Sequence, residues 1–338
     1  MKLTFITTSA LCLAATTAIS APAGYTPFGI QAPHHGRGMI GAIWYPSMGG
    51  GRAFEFADSA VFQGVTVEEE ATLQDGTHPV VLLSHGMGGN IRSLAWLATD
   101  LAEQGVIVVA VNHPNSTWGD LDMALGLEHW TRAQDLSLAL DTLLDDPKFA
   151  GHLDDTRIMA AGFSYGGWTA LSLGGLLGDH EGYIDHCEVH GTESSHCGDL
   201  NRANVAISDI KQADWDASYA DPRVTHVTAI DPGLIWGLDQ ADIKDVVENV
   251  RLIGLGQGND RLLATDFDSS GFSTLLPNAE IDNIAPAMHF SALPLCKPMA
   301  EAILIEEQDD PVCTDPVGTN REAVHTTIVA HIMADLEH

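Results

Sequence analysis

Three short apolar runs, VVLL at residues 80–83, VIVVAV at 106–111 and IMAAGF at 158–163, alternate with stretches of helical periodicity. This alternation is what most limits the folds open to the chain. A run of this length that is apolar at every position suits a strand covered on both faces, and two such strands joined by a helix must lie parallel. Leu94, Leu97 and Leu101 form one helical stripe after the first run, and Leu136, Leu140 and Leu143 form another before the third. The pattern predicts an α/β fold with a mostly parallel central sheet and helices on both faces. Further strands are expected in VTHVTAI before Asp231, in VRLIGLG from Val250 and in the short stretch before His289, with a closing helix over REAVHTTIVAHIMADLE. Residues 178–221 are polar, weakly periodic and carry cysteines and histidines. They are expected to form a long loop, an insertion at the active-site rim before the Asp231 strand.

The amino terminus reads as a signal peptide over residues 1–20: Lys2, an apolar run to Ile19, and Ala18 and Ser20 at signal-peptidase spacing. Export to the periplasm or beyond is the expectation, with residues 21–338 as a single catalytic domain. Leu11 precedes Cys12 where a lipid-modified cysteine follows a small residue, so no lipid anchor is expected. The chain has 15 Lys and Arg against 46 Asp and Glu, a formal net charge of -31. Such a surface repels nucleic acid and anionic headgroups, which leaves neither nucleic-acid binding nor stable membrane association as an expected role.

Cys187, Cys197, Cys296 and Cys313 lie beyond the signal segment. Four cysteines in an exported chain suggest two disulfides, and proximity favours Cys187 with Cys197 and Cys296 with Cys313. The rival is a zinc site built from Cys187, His190, His196 and Cys197. DFDSSG at 266–271 begins like a calcium loop but has Pro277 where the twelfth-position glutamate belongs, and is read as a turn. No metal or cofactor is expected.

The chemistry points to Gly162-Phe163-Ser164-Tyr165-Gly166. Gly-x-Ser-x-Gly recurs by chance in a chain with 33 glycines, so its context decides. Here it follows a buried strand and opens a small-residue helix, the setting in which a strained turn exposes a serine hydroxyl. A serine needs a base oriented by an acid, and on such a sheet acid and histidine follow the serine in that order. His289, after the last strand, is the candidate base. Asp231, at the end of VTHVTAI, is the favoured acid, and Asp260 in GLGQGND the alternative. The backbone N–H groups of Tyr165 and of Met87, in SHGMGG, are the candidate oxyanion donors. His85 is read as bracing that glycine-rich turn.

These residues, together with IWYP at 43–46, LLSHGMGGN, VNHPNSTWGD, AGFSYGGWTAL, AIDPG and MHFSALPLC, give a chain that resembles the bacterial α/β-hydrolases described as predicted dienelactone hydrolases or platelet-activating-factor-acetylhydrolase-like enzymes. The resemblance implies an α/β-hydrolase fold and cofactor-free hydrolysis of carboxylic esters through an acyl-serine, with Asp231 at the acid position of the acetylhydrolase relatives. Dienelactone hydrolases proper use a cysteine where this chain has Ser164. Small soluble esters are the expected substrates, with a lipase, phospholipid acetylhydrolase or cutinase-type polyester hydrolase as the alternative. A non-catalytic binding protein on the same scaffold is the rival class.

Overall fold

The computed structural model describes residues 21–337, so the expected signal segment lies outside the described residues. Apart from a two-stranded hairpin at Ser116–Thr117 and Asp120–Leu121, the strands among the described residues are β1 (Gly24–Ala32), β2 (Arg37–Tyr45), β3 (Arg52–Phe56), β4 (Val65–Glu69), β5 (His78–Ser84), β6 (Ile107–Val111), β7 (Leu153–Phe163), β8 (His226–Ile230), β9 (Asn249–Leu255) and β10 (Glu280–Ile284). These ten form one sheet in the order β10-β9-β8-β7-β5-β6-β2-β1-β4-β3. From β6 to β10 every neighbouring pair is parallel.

The apolar runs do what their composition dictates. In β5, Val80 and Leu82 enter one core layer and Val81 and Leu83 the other, all of them buried. Helices α1 (Ala95–Glu103), α2 (His129–Asp145) and α3 (Tyr165–Leu173) supply the crossovers, and α2 and α3 cover the Val80 face with Leu136, Leu140, Leu143 and Trp168. On the other face α1 packs with the closing helix, residues 321–336, through Leu97, Leu101, Ile328 and Ile332.

Two regions depart from the expected pattern. An amino-terminal meander extends the sheet, with β1 antiparallel to β2, β2 antiparallel to β6 and β3 antiparallel to β4. Strand β1, GYTPFGIQA, carries glycines and a proline and exposes one face, and β3 and β4 are five residues long and mostly uncovered, so they lack the continuous apolar signal of a buried strand.

The 178–221 insertion is helical, not a loop. It contains α4 (His180–His190) and α5 (Ser195–Ala203), followed by a short helical turn, Gln212–Trp215. Asp179 caps α4 by accepting from the Gly182 N–H at 2.7 Å. The buried face of α4 is Tyr183 with His180 and His186, two histidines where aliphatic residues would have made the period visible. Cys187 is disulfide-bonded to Cys197, joining α4 to α5, and Cys296 to Cys313. That consumes the two sulfurs of the rival zinc set. The 266–271 segment is a turn, in which Asp266 accepts from the Asp268 N–H and the Ser269 hydroxyl.

Candidate active site

Strand β7 delivers Ser164 at the carboxyl edge of the sheet, where the backbone turns sharply into α3. Ser164 has φ 58° and ψ -121°, a conformation that side chains other than glycine rarely adopt. The turn closes because its flanks are glycine. A Cβ on Gly162 would run into the Gly166 carbonyl, and one on Gly166 into the Ser84 carbonyl. Ser164 itself is partly exposed amid buried neighbours.

Asp231 follows β8 and also has a positive φ, 46°. Its carboxylate is fully buried and accepts three hydrogen bonds: from the Leu255 N–H at 3.0 Å, from the Thr265 hydroxyl at 2.9 Å and from His289 Nδ1 at 2.6 Å. The Arg261 guanidinium stands 3.7 Å from Oδ1. His289 opens the turn after β10, and its Nε2 is 3.1 Å from Ser164 Oγ. Because Nδ1 donates to Asp231, Nε2 carries the free lone pair that faces the serine hydroxyl. The Phe163 ring backs the imidazole, centroid to centroid 4.6 Å.

Of the two candidate acids, Asp231 meets His289, whereas Asp260 lies exposed on the turn after β9. The SHGMGG turn lies against the serine: a Cβ on Gly86 would come within 3.2 Å of Ser164 Cβ. Around it the Gly88 and Gly89 N–H groups are bonded to Ser116 and Gly86, and those of Gly167 and Trp168 to the Ser164 carbonyl. The N–H groups of Met87 and Tyr165 donate to no acceptor among the described residues. His85 is buried and braces the turn, Nδ1 donating to the Gly86 carbonyl at 2.7 Å while Nε2 accepts the His113 N–H at 3.2 Å. Burial, helped by Arg132 and His113, holds its pKa well below the usual histidine range.

No family model matches the chain. Over 102 residues it is 31% identical to cutinase est2 of Thermobifida alba, and over 110 residues 31% identical to the bis(hydroxyethyl) terephthalate hydrolase of Streptomyces coelicolor. These matches cover 30% and 32% of this chain, and it spans about a third of the length of those relatives, 31% and 33%. Among solved structures, a ferulic acid esterase from Streptomyces cinnamoneus superposes over 96% of this chain and 91% of its own, with a TM-score of 0.58 at 17% identity. This chain has the α/β-hydrolase fold. A dienelactone hydrolase-like promiscuous phosphotriesterase from metagenomic libraries shares that fold over 92% of this chain and 98% of its own, with a TM-score of 0.51 at 15% identity.

Beneath the α/β-hydrolase edge lies a second Ser-His-Asp row that sequence alone left unread. Ser84 Oγ is 2.9 Å from His113 Nε2, and His113 Nδ1 is 2.9 Å from Asp135 Oδ2, with all three side chains fully buried. Burial pushes the His113 pKa down to about 4. Arg132 Nη2 donates to Ser84 Oγ at 3.1 Å, and the same guanidinium bonds the His85 carbonyl and the Ser116 hydroxyl and lies 4.5 Å over the Tyr165 ring. With its three side chains buried and the Ser84 hydroxyl already engaged, this row serves as a brace between the glycine-rich turn and the start of α3. Only its presence in VNHPNSTWGD marked His113 in the sequence, without a role.

Proposed function

We propose that this chain is an exported serine hydrolase of carboxylic esters, acting through an acyl-serine on small soluble substrates. The observation that carries the reading is the continuous row from Ser164 Oγ through His289 to buried Asp231, on a strained turn that opens a helix. In this reading His289 Nε2 takes the hydroxyl proton as Ser164 Oγ attacks the ester carbonyl carbon. Asp231 fixes the imidazole tautomer and stabilises the imidazolium. The N–H groups of Met87 and Tyr165 receive the oxyanion, each worth about 3 kcal/mol in the transition state. Collapse of the tetrahedral intermediate passes the proton from His289 to the departing alcohol. Water, deprotonated by the same nitrogen, then releases the acid and restores Ser164. Two disulfides support export, and no described helix is long and apolar enough to cross a membrane.

A polyester-hydrolysing variant of this reading is favoured by the cutinase and terephthalate-ester hydrolase relatives, and by the rim itself. The hairpin over residues 116–121 is bonded to the Gly88–Gly89 turn and exposes Trp118 and Leu121, an apolar edge where a polymer strand could lie. The test is hydrolysis of p-nitrophenyl acetate, butyrate and octanoate, and of bis(hydroxyethyl) terephthalate, by the wild type and by Ser164→Ala. Turnover abolished in the variant, with fluorophosphonate labelling of Ser164 in the wild type, is the expected result. Equal rates in both proteins and no labelling would leave a non-catalytic binding protein instead.

A further inference from the structure

The turn between β1 and β2, Pro33–His35, carries two adjacent histidines that both reach across to α2. His34 Nε2 is 2.7 Å and His35 Nε2 is 3.0 Å from the same oxygen, Oδ1 of Asp135. The rings lie 4.5 Å apart, centroid to centroid, and the three ligand atoms all fall within 4.8 Å of one another. We infer that His34, His35 and Asp135 form a binding site for one borderline divalent metal ion, with zinc the representative.

The geometry suits that ion. Zinc sits about 2.0–2.2 Å from nitrogen and carboxylate oxygen, so neighbouring tetrahedral ligands stand roughly 3.3 Å apart. Separations of 2.7 and 3.0 Å to Oδ1 need only a small outward shift of two imidazoles on a surface turn. The donor set of two neutral imidazoles and one carboxylate favours zinc, cobalt, nickel or copper over calcium or magnesium, which take oxygen ligands.

The carboxylate is held as a ligand carboxylate is held elsewhere. Its second oxygen accepts from His113 Nδ1 at 2.9 Å, and His113 Nε2 is in turn engaged by Ser84, which Arg132 supports. This outer ring fixes the orientation of Asp135 and leaves Oδ1 facing the histidine pair. Access is graded along the same line, because the side chains of His34, His35 and Asp135 are 19%, 3% and 0% exposed. The outer edge at His34 admits an ion, and a water molecule completes four ligands. Such an ion would tie the β1–β2 turn to α2, whether or not the chain hydrolyses esters.

The test uses the full mature chain, treated with a chelator in non-reducing buffer and titrated with zinc by calorimetry, beside His34→Ala and His190→Ala. One equivalent bound by the wild type and by His190→Ala, and none by His34→Ala, is the expected pattern. Zinc-edge X-ray absorption on the wild type should show two imidazoles, which keeps the test decisive if His34→Ala fails to fold. No stoichiometric zinc in the wild type, an equivalent retained by His34→Ala, or scattering without an imidazole pair would each overturn the site.

Discussion

In the proposed mechanism Asp231 has more to do than hold a charge: its carboxylate, held by the Leu255 N–H and the Thr265 hydroxyl, orients the His289 imidazole that faces Ser164. Asp231→Asn should lower kcat by about 10³ to 10⁴, since the amide favours the wrong imidazole tautomer. Asp260→Asn, remote from the row, should change it little, and steady-state kinetics on one p-nitrophenyl ester compares the two. Thr265→Val removes one buried donor to Asp231 and should cost about 1 to 1.5 kcal/mol, roughly tenfold in kcat. A wild-type rate in that variant would show that the Leu255 N–H suffices. Ser164 and His289 were legible in the sequence because a Gly-x-Ser-x-Gly turn and a histidine after the last strand are local signals. Thr265, Arg261 and the Arg132–His113–Asp135 network were not, since each matters through a partner distant in the chain.

Among the elements, the parallel strands could be read because burial on both faces forces an apolar residue at every position. The insertion could not, because α4 buries His180 and His186, which count as polar in any periodicity. Its disulfide links α4 to α5, and α5 packs on the Leu263–Thr265 turn that bonds Asp231. Replacing Cys187 and Cys197 together by alanine should therefore destabilise the chain by about 2 to 4 kcal/mol. Calorimetric unfolding of the double variant checks this, and an unchanged midpoint would mean that the packing of Tyr183 and Trp215 alone holds the insertion.

Across the whole molecule, several histidines are folded in neutral form. Burial pushes the pKa of His196 and His325 down to about 4 and that of His129 to about 3. In the unfolded chain each titrates near the ordinary value of about 6.5, so the unfolded state binds more protons below that pH. Stability should be full above about pH 6.5 and fall steadily from there towards pH 4, and unfolding midpoints across that interval should show the decline. A midpoint flat from pH 7 to 4.5 would contradict it. The ordering of the sheet has a consequence for behaviour at high concentration. Its outermost strands, β3 and β10, offer unpaired backbone to any passing chain, yet they carry Arg52 and Glu55 on one side and Glu280 and Asp282 on the other. Charges set along both borders, under a net charge of -31, make strand-by-strand stacking between molecules unfavourable, so the protein should stay dispersed where a bare-edged sheet of this width would grow into aggregates.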